Sequence, residues 1–93
     1  DSRELLSNPR QVLSTLCQRI GIVFTPAMLG WEAGPRPEDG VWAPHWYHNV
    51  HLSSGFSEYR SKDQPFPSRL EALREECDHY YQRLHAHSLK ATT

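Results

Sequence analysis

The stretch Gly34-Pro-Arg-Pro-Glu-Asp-Gly-Val-Trp-Ala-Pro-His-Trp-Tyr47 decides how this chain folds. It holds three prolines, two glycines, two tryptophans and a tyrosine in fourteen residues. Because proline fixes φ and lacks an amide donor, the run cannot form one continuous helix. Its aromatic rings must be buried against something or exposed for a partner. We therefore predict an ordered aromatic loop over residues 31–43, a place where binding residues tend to lie.

The residues before this stretch predict one long helix and one short helical turn. Asn8 is a good N-cap and Pro9 suits the first helical position, and apolar residues then recur every three or four positions. Gly21 supplies the left-handed residue of a Schellman-type stop. A threonine and a proline then repeat the cap signal. We therefore predict helices over about 9–20 and 26–29.

The residues after the aromatic stretch predict two more helices. The first runs over about 44–52 and ends at a Ser-Ser-Gly sequence. Polar residues and two prolines fill an exposed loop over 57–67. Ser68 and Glu71 then form a capping-box signature, which opens a long amphipathic helix over about 69–89. Because no sustained strand pattern occurs, we expect the isolated chain to be all-α, with three to four helices and a long Pro/Trp-rich loop.

Composition limits the chain to one small segment. Its 93 residues form one domain at most, and its 38% hydrophobic residues lie below the usual ~45–50%. That shortfall predicts a small core, or a piece whose neighbours supply the rest. The net charge of -1 gives no electrostatic argument for nucleic acid or an anionic membrane, and no apolar run could span a bilayer. The sequence starts at Asp1 rather than Met, which we interpret as trimming or as a segment of a longer chain.

The cysteines, Cys17 and Cys77, are expected to be reduced thiols. Both fall on the apolar faces of predicted helices, so we interpret them as core residues. A disulfide between them is the alternative. Reduced thiols, with no visible signal peptide, favour a cytoplasmic location.

Four aromatic residues are candidates for either a core or a ligand-facing wall. They are Trp31, Trp42, Trp46 and Tyr47. In a chain with few aliphatic residues we favour the core, although the two interpretations are compatible.

Three histidines form an H-x-x-H-x-x-H pattern on the third predicted helix. They are His45, His48 and His51. Imidazole is a common metal ligand, but each step of three residues turns about 60° backwards around a helix, so the outer side chains diverge by about 120°. Helical zinc pairs more often use i, i+4 spacing. We therefore predict no metal site and interpret the pattern as a polar face, with a metal-binding module as a distant alternative.

Arg36 has two alternative roles in the proline-rich stretch. Either its guanidinium grips an anionic group, or it belongs with Glu38 and Asp39 to a turn whose charges face water. We favour the turn. The sequence holds no G-x-x-x-x-G-K-[ST] or G-x-G-x-x-G phosphate loop and no Cys–His pair at metal spacing. No cofactor is therefore expected to bind this chain alone.

Two runs of residues carry a resemblance to a known family. The first reads Glu4-Leu-Leu, Asn8-Pro9, Val12-Leu, Leu16-Cys17, Gly21-Ile22 and Phe24-Thr-Pro-Ala-Met-Leu29. It resembles the C-terminal part of the P-loop sulfotransferase superfamily. The second is more distinctive and reads Trp31, Gly34 to Tyr47 as quoted above, Val50-His51 and Ser54-Gly55-Phe56. It resembles a subgroup of sulfotransferase-like proteins of bacteria and plants, some labelled branched-chain aminotransferase-like because the domain can be fused to such an enzyme.

The resemblance implies an α/β P-loop parent that moves a sulfuryl group from the nucleotide donor PAPS to a hydroxyl or amine. The family's phosphate-cradling loop and its serine/arginine nucleotide site would both precede Asp1, so no catalytic residue can be assigned here. The implied partner is the remainder of a sulfotransferase-like domain. The segment 34–51 would cover the acceptor or donor pocket. Its candidate contact residues are Arg36, Trp42, His45, Trp46 and His51.

A second hypothesis belongs to a different class. The chain would then be a small helical module that binds a protein partner through the aromatic loop over 31–51. Neither hypothesis provides a complete active site, because sulfuryl transfer needs several positioned donors and a base near the acceptor.

Overall fold

A computed structural model describes residues 1–91 as short helices joined by turns and loops. Within this range it contains no β-strand, which confirms the all-α expectation for the isolated chain. The α-helices are α1 (Ser2–Ser7), α2 (Pro9–Ile20), α3 (Ala43–Trp46), α4 (His48–Leu52) and α5 (Glu71–His85). Shorter 3₁₀ turns span Pro26–Leu29, Pro37–Asp39 and Ser68–Leu70.

The first two helices meet at Asn8, which ends α1 and caps α2. Its side-chain oxygen accepts a 3.2 Å hydrogen bond from the amide of Gln11, so the predicted cap is formed. The helix α1 itself was not predicted. Asp1 caps it by accepting a 2.8 Å hydrogen bond from the Arg3 amide, but six residues are too few to display a helical period in the sequence.

The end of α2 has the predicted Schellman geometry. Gly21 adopts a φ of 81°, and the amide of Ile22 donates a 3.0 Å hydrogen bond to the carbonyl of Cys17. The glycine is required because a left-handed backbone places a Cβ against the neighbouring carbonyl. The chain therefore leaves α2 sharply and runs extended toward the 3₁₀ turn Pro26–Leu29.

Two elements differ from their predicted form. The range 44–52 divides at Tyr47, whose φ of −99° and ψ of 18° lie in the bridge region outside the helical well. The last helix ends at His85 instead of 89, and the capping box predicted at its start is not formed. Glu71 accepts a 2.9 Å hydrogen bond from Arg74 Nε instead, and this bond holds the pKa of its carboxyl below the ordinary value.

Very little of the chain forms a core. Among the described residues, only Val12, Cys17 and Ala43 are buried. The radius of gyration is 16.7 Å, whereas a compact domain of this length would have about 12 Å. The expectation that Cys77 lies in a core is wrong: it is exposed on α5, a helix without any buried residue, although both cysteines are free thiols.

Candidate functional site

The aromatic loop is tied by backbone hydrogen bonds to the residues that end α4. The amide of Trp31 donates to the carbonyl of Ser54 at 2.9 Å, and the amide of Gly34 donates to the carbonyl of His51 at 2.8 Å. The Trp31 indole Nε1 adds a 3.0 Å hydrogen bond to the hydroxyl of Ser53. These three hydrogen bonds hold the loop against the end of α4.

Gly30 and Gly55 close this loop through an isolated antiparallel bridge. A Cβ built on either glycine would lie 3.3 Å from a carbonyl oxygen of the opposite segment, so both positions favour glycine. Beside the bridge, the rings of Trp31 and Phe56 meet edge to face, with centroids 5.4 Å apart. The segments around Gly30 and Gly55 therefore approach each other too closely to accommodate larger side chains without a shift of the backbone.

Asp39 and His51 form a hydrogen-bonded pair beneath the proline-rich turn. Asp39 Oδ2 accepts a 2.9 Å hydrogen bond from His51 Nε2 and a 2.7 Å hydrogen bond from the backbone amide of Arg36. The side chains of His51 and Asp39 are only 23% and 22% exposed. The Arg36 amide first, and the His51 imidazole second, hold the pKa of Asp39 below its ordinary value of 3.8.

The guanidinium of Arg36 folds back onto its own loop, although the residue is exposed. Its guanidinium donates to the carbonyl of Gly34 at 3.0 Å and to the carbonyl of Glu32. With the amide of Arg36 bound to Asp39, this geometry supports the turn interpretation over the anion-gripping one. The side chain of Arg36 therefore links two backbone carbonyls of its own loop.

The tryptophan rings lie on the surface, so the prediction that they form a core is wrong. Trp42 and Trp46 stack with centroids 5.0 Å apart and planes inclined by 14°, yet they are 59% and 69% exposed. The ring of His45 lies 6.4 Å from that of Trp42. The cause is geometric: α3 has four residues, and its outer face meets no other element among residues 1–91.

The candidate contact residues fall into two groups. The first contains Arg36 and His51, and the second contains Trp42, His45 and Trp46. Asp39, interpreted from the sequence only as a turn residue, joins the first group. No local signal could have found the Asp39–His51 pair, because the two residues are twelve positions apart and the loop closure sets their register.

Two shallow depressions flank the Asp39–His51 pair. One has a volume of about 590 Å³, and the other has about 270 Å³. Arg36, Asp39 and His51 line both. The larger is otherwise walled mainly by apolar residues, namely Pro35, Pro37, Val41, Ala43 and Pro44. An apolar wall with a few convergent polar groups is typical of a site for a small organic ligand.

The histidine pattern of the third predicted helix is split by Tyr47 between α3 and α4. Across residues 1–91, no group of three His, Cys, Asp or Glu side chains has the geometry to hold a metal ion. Across the same range, every helix is too short or too polar to cross a membrane.

Comparisons with known proteins point to one family. A sulfotransferase domain model matches residues 1–88. The chain is 45% identical over 87 residues to branched-chain-amino-acid aminotransferase-like protein 2 of Arabidopsis thaliana, which covers 94% of this chain and 16% of the plant protein. It is 49% identical over 67 residues to the plant's aminotransferase-like protein 1, covering 72% of this chain and 12% of that protein. The chain thus spans less than a fifth of these relatives' length. No solved structure matches it.

Proposed function

The chain belongs to the sulfotransferase domain family, and on that premise we propose that it is the C-terminal, pocket-covering segment of a PAPS-dependent sulfotransferase-like domain. In this role it supplies the aromatic loop that covers the acceptor or donor pocket. The nucleotide-binding loops belong to the remainder of an α/β P-loop domain, so the chain alone does not transfer a sulfuryl group.

The observation that carries this proposal is the uncovered apolar surface. Full burial of one large apolar side chain contributes about 1.5–3 kcal/mol, so leaving many of them in water is costly for a self-sufficient fold. The large apolar side chains of α3, α4 and α5 that are more than half exposed are Trp46, Val50, Leu52, Leu73, Tyr80 and Leu84. A larger domain packed on these faces supplies the missing core.

The contacts of Arg36 support a nucleotide site outside the proline-rich turn. A donor with several phosphate groups needs backbone amides or free cations around it. Here the guanidinium of Arg36 is bound to loop carbonyls, and its amide is bound to Asp39. The proline-rich turn therefore offers a depression with a mainly apolar wall rather than a cluster of free phosphate-binding donors.

The test uses a complete-domain polypeptide, defined as this chain joined to the preceding part of a sulfotransferase domain. Calorimetric titration with the nucleotide product PAP should detect binding to the complete-domain polypeptide and none to the 93-residue chain. Alanine substitutions at the five candidate contact residues should raise the KM for donor or acceptor, whereas Lys62→Ala in the exposed loop should not. PAP binding by the 93-residue chain, or five variants that all match the parent, would contradict the proposal.

The stacked, exposed tryptophans favour a second candidate, a protein-interaction module that uses the loop over 31–51. Tryptophans that project from a surface are typical anchors of protein interfaces. Acrylamide quenching of tryptophan fluorescence separates the two functions. Quenching should fall when the chain is part of the complete-domain polypeptide, and unchanged quenching there would favour an external protein partner.

A further inference from the structure

Among the described residues, the ring of His51 forms a hydrogen bond through one of its two nitrogens. Nε2 pairs with Asp39 Oδ2 at 2.9 Å. Because an ionised carboxylate only accepts hydrogen bonds, Nε2 must carry a proton. In a neutral imidazole the other nitrogen then holds a lone pair. Among residues 1–91 no side chain or backbone group forms a hydrogen bond with Nδ1.

Several contacts immobilise the pair. The carbonyl of His51 accepts a 2.8 Å hydrogen bond from the amide of Gly34. The amide of His51 donates a hydrogen bond of the same length to the carbonyl of Tyr47. The Tyr47 ring packs edge-on against the imidazole, with centroids 6.1 Å apart. Asp39 is held in turn by the Arg36 amide at 2.7 Å. An imidazole fixed in this way has one tautomer and one orientation, as in carboxylate–histidine pairs generally.

We propose that Asp39 is a positioning residue that fixes His51 Nδ1 as the hydrogen-bond acceptor for a hydroxyl or amine of a ligand. The assignment of that ligand as the sulfuryl acceptor rests on the proposed function above. His51 lines the larger depression, whose wall of prolines and Val41 fits an apolar ligand body. This lining suits an apolar alcohol or amine better than a sugar or a phosphate ester.

Nitrogen NMR of the complete-domain polypeptide labelled with ¹⁵N-histidine tests the positioning. His51→Gln assigns the His51 signals by their disappearance. The parent should carry the proton of neutral His51 on Nε2. Asp39→Ala should give a mixture of the two tautomers, while the matched control Glu38→Ala, in the same turn, should leave the parent tautomer unchanged. Exchange of the Gly34 amide verifies that the loop is retained in each variant.

Phenol serves as the probe of the ligand class. Its titration should move the His51 Nδ1 resonance of the parent saturably, and Asp39→Ala should reduce the response at least several-fold. A parent ring protonated on Nδ1, no saturable response to phenol, or equal effects of Asp39→Ala and Glu38→Ala would overturn the proposal. Calorimetric titration with PAP reports on the sulfotransferase assignment independently, because that nucleotide is expected to bind outside this segment.

Discussion

Glu4 and Ala91 join the two ends of the described chain, because the amide of Ala91 donates a 2.7 Å hydrogen bond to the Glu4 carboxylate. The hydroxyl of Tyr81 on α5 also donates to the Asp1 carboxylate. These contacts return the end of α5 to α1, although α5 has no buried residue. Polar contacts between the ends, rather than a shared core, therefore set the position of α5.

The first prediction concerns Glu4. Glu4→Ala removes the acceptor and should raise hydrogen exchange at the Ala91 amide by about fivefold, the equivalent of a net ~1 kcal/mol for one hydrogen bond. Glu4→Gln keeps a side-chain oxygen as acceptor, so its exchange rate at the Ala91 amide should lie near that of the parent. Exchange measured by NMR on the complete-domain polypeptide makes the comparison. Equal exchange in the alanine variant and the parent would show that the contact does not hold the chain end.

A second prediction follows from the exposed indole of Trp46. If the rest of the domain covers it, Trp46→Ala should lower the free energy of unfolding of the complete-domain polypeptide by about 3 kcal/mol, the usual cost of deleting a buried tryptophan. Lys62→Ala is the control and should remain within about 0.5 kcal/mol of the parent. Urea titration followed by circular dichroism measures both. A tryptophan variant as stable as the lysine variant would contradict coverage of α3.

Gly21 provides the third prediction. Its φ of 81° is strained for any residue with a Cβ, yet a Cβ there would meet no atom within 4 Å. The cost of Gly21→Ala is therefore purely conformational and should be about 1 kcal/mol. Gly21→Asn should cost less, because asparagine tolerates the left-handed region better. Urea unfolding of the complete-domain polypeptide measures the free energy of unfolding of each variant. An alanine variant more stable than the asparagine variant would count against the Schellman geometry.

The fourth prediction is a pH dependence centred on Asp39. The amide of Arg36 first and the imidazole of His51 second lower its folded pKa below 3.8, while the unfolded carboxyl keeps its ordinary value. Ionised Asp39 therefore stabilises the closed loop above the unfolded pKa, and this contribution is lost as pH falls through the folded pKa. The protection of the Gly34 amide, which is its exchange rate compared with the intrinsic rate at the same pH, should fall below about pH 4. In Asp39→Asn that acidic step should be absent, and its persistence would assign it to another carboxyl.

Local signals were readable in the sequence because they depend on neighbouring residues. The cap at Asn8 needs only a side chain and the turn that follows it, and the stop at Gly21 needs only a residue without a Cβ; both form as predicted. The capping-box signature at Ser68 and Glu71 was an equally clear local pattern, but the Glu71 carboxylate accepts a hydrogen bond from Arg74 instead. A pattern permits a cap, and competition among nearby partners decides whether it forms.

Burial and long-range pairing could not be read in the same way. Hydrophobicity identifies Trp42 and Trp46 as residues that avoid water, but it cannot tell whether this chain or another part of a domain covers them. The Asp39–His51 pair depends on where the loop closes, and no single residue in the sequence predicts that position. The family resemblance succeeded because it draws on the order of many residues along the chain, and the family match over residues 1–88 confirms it.

The bridge between Gly30 and Gly55 has a consequence for engineering. Because residues 31–54 start and finish at one crossing point, they form a self-contained cassette. Replacing the cassette by a brief glycine–serine connector would remove the Trp31–Ser54 hydrogen bond but would close a shorter loop, which costs less entropy. The same cassette contains all five candidate contact residues, so exchanging it between relatives would move them together.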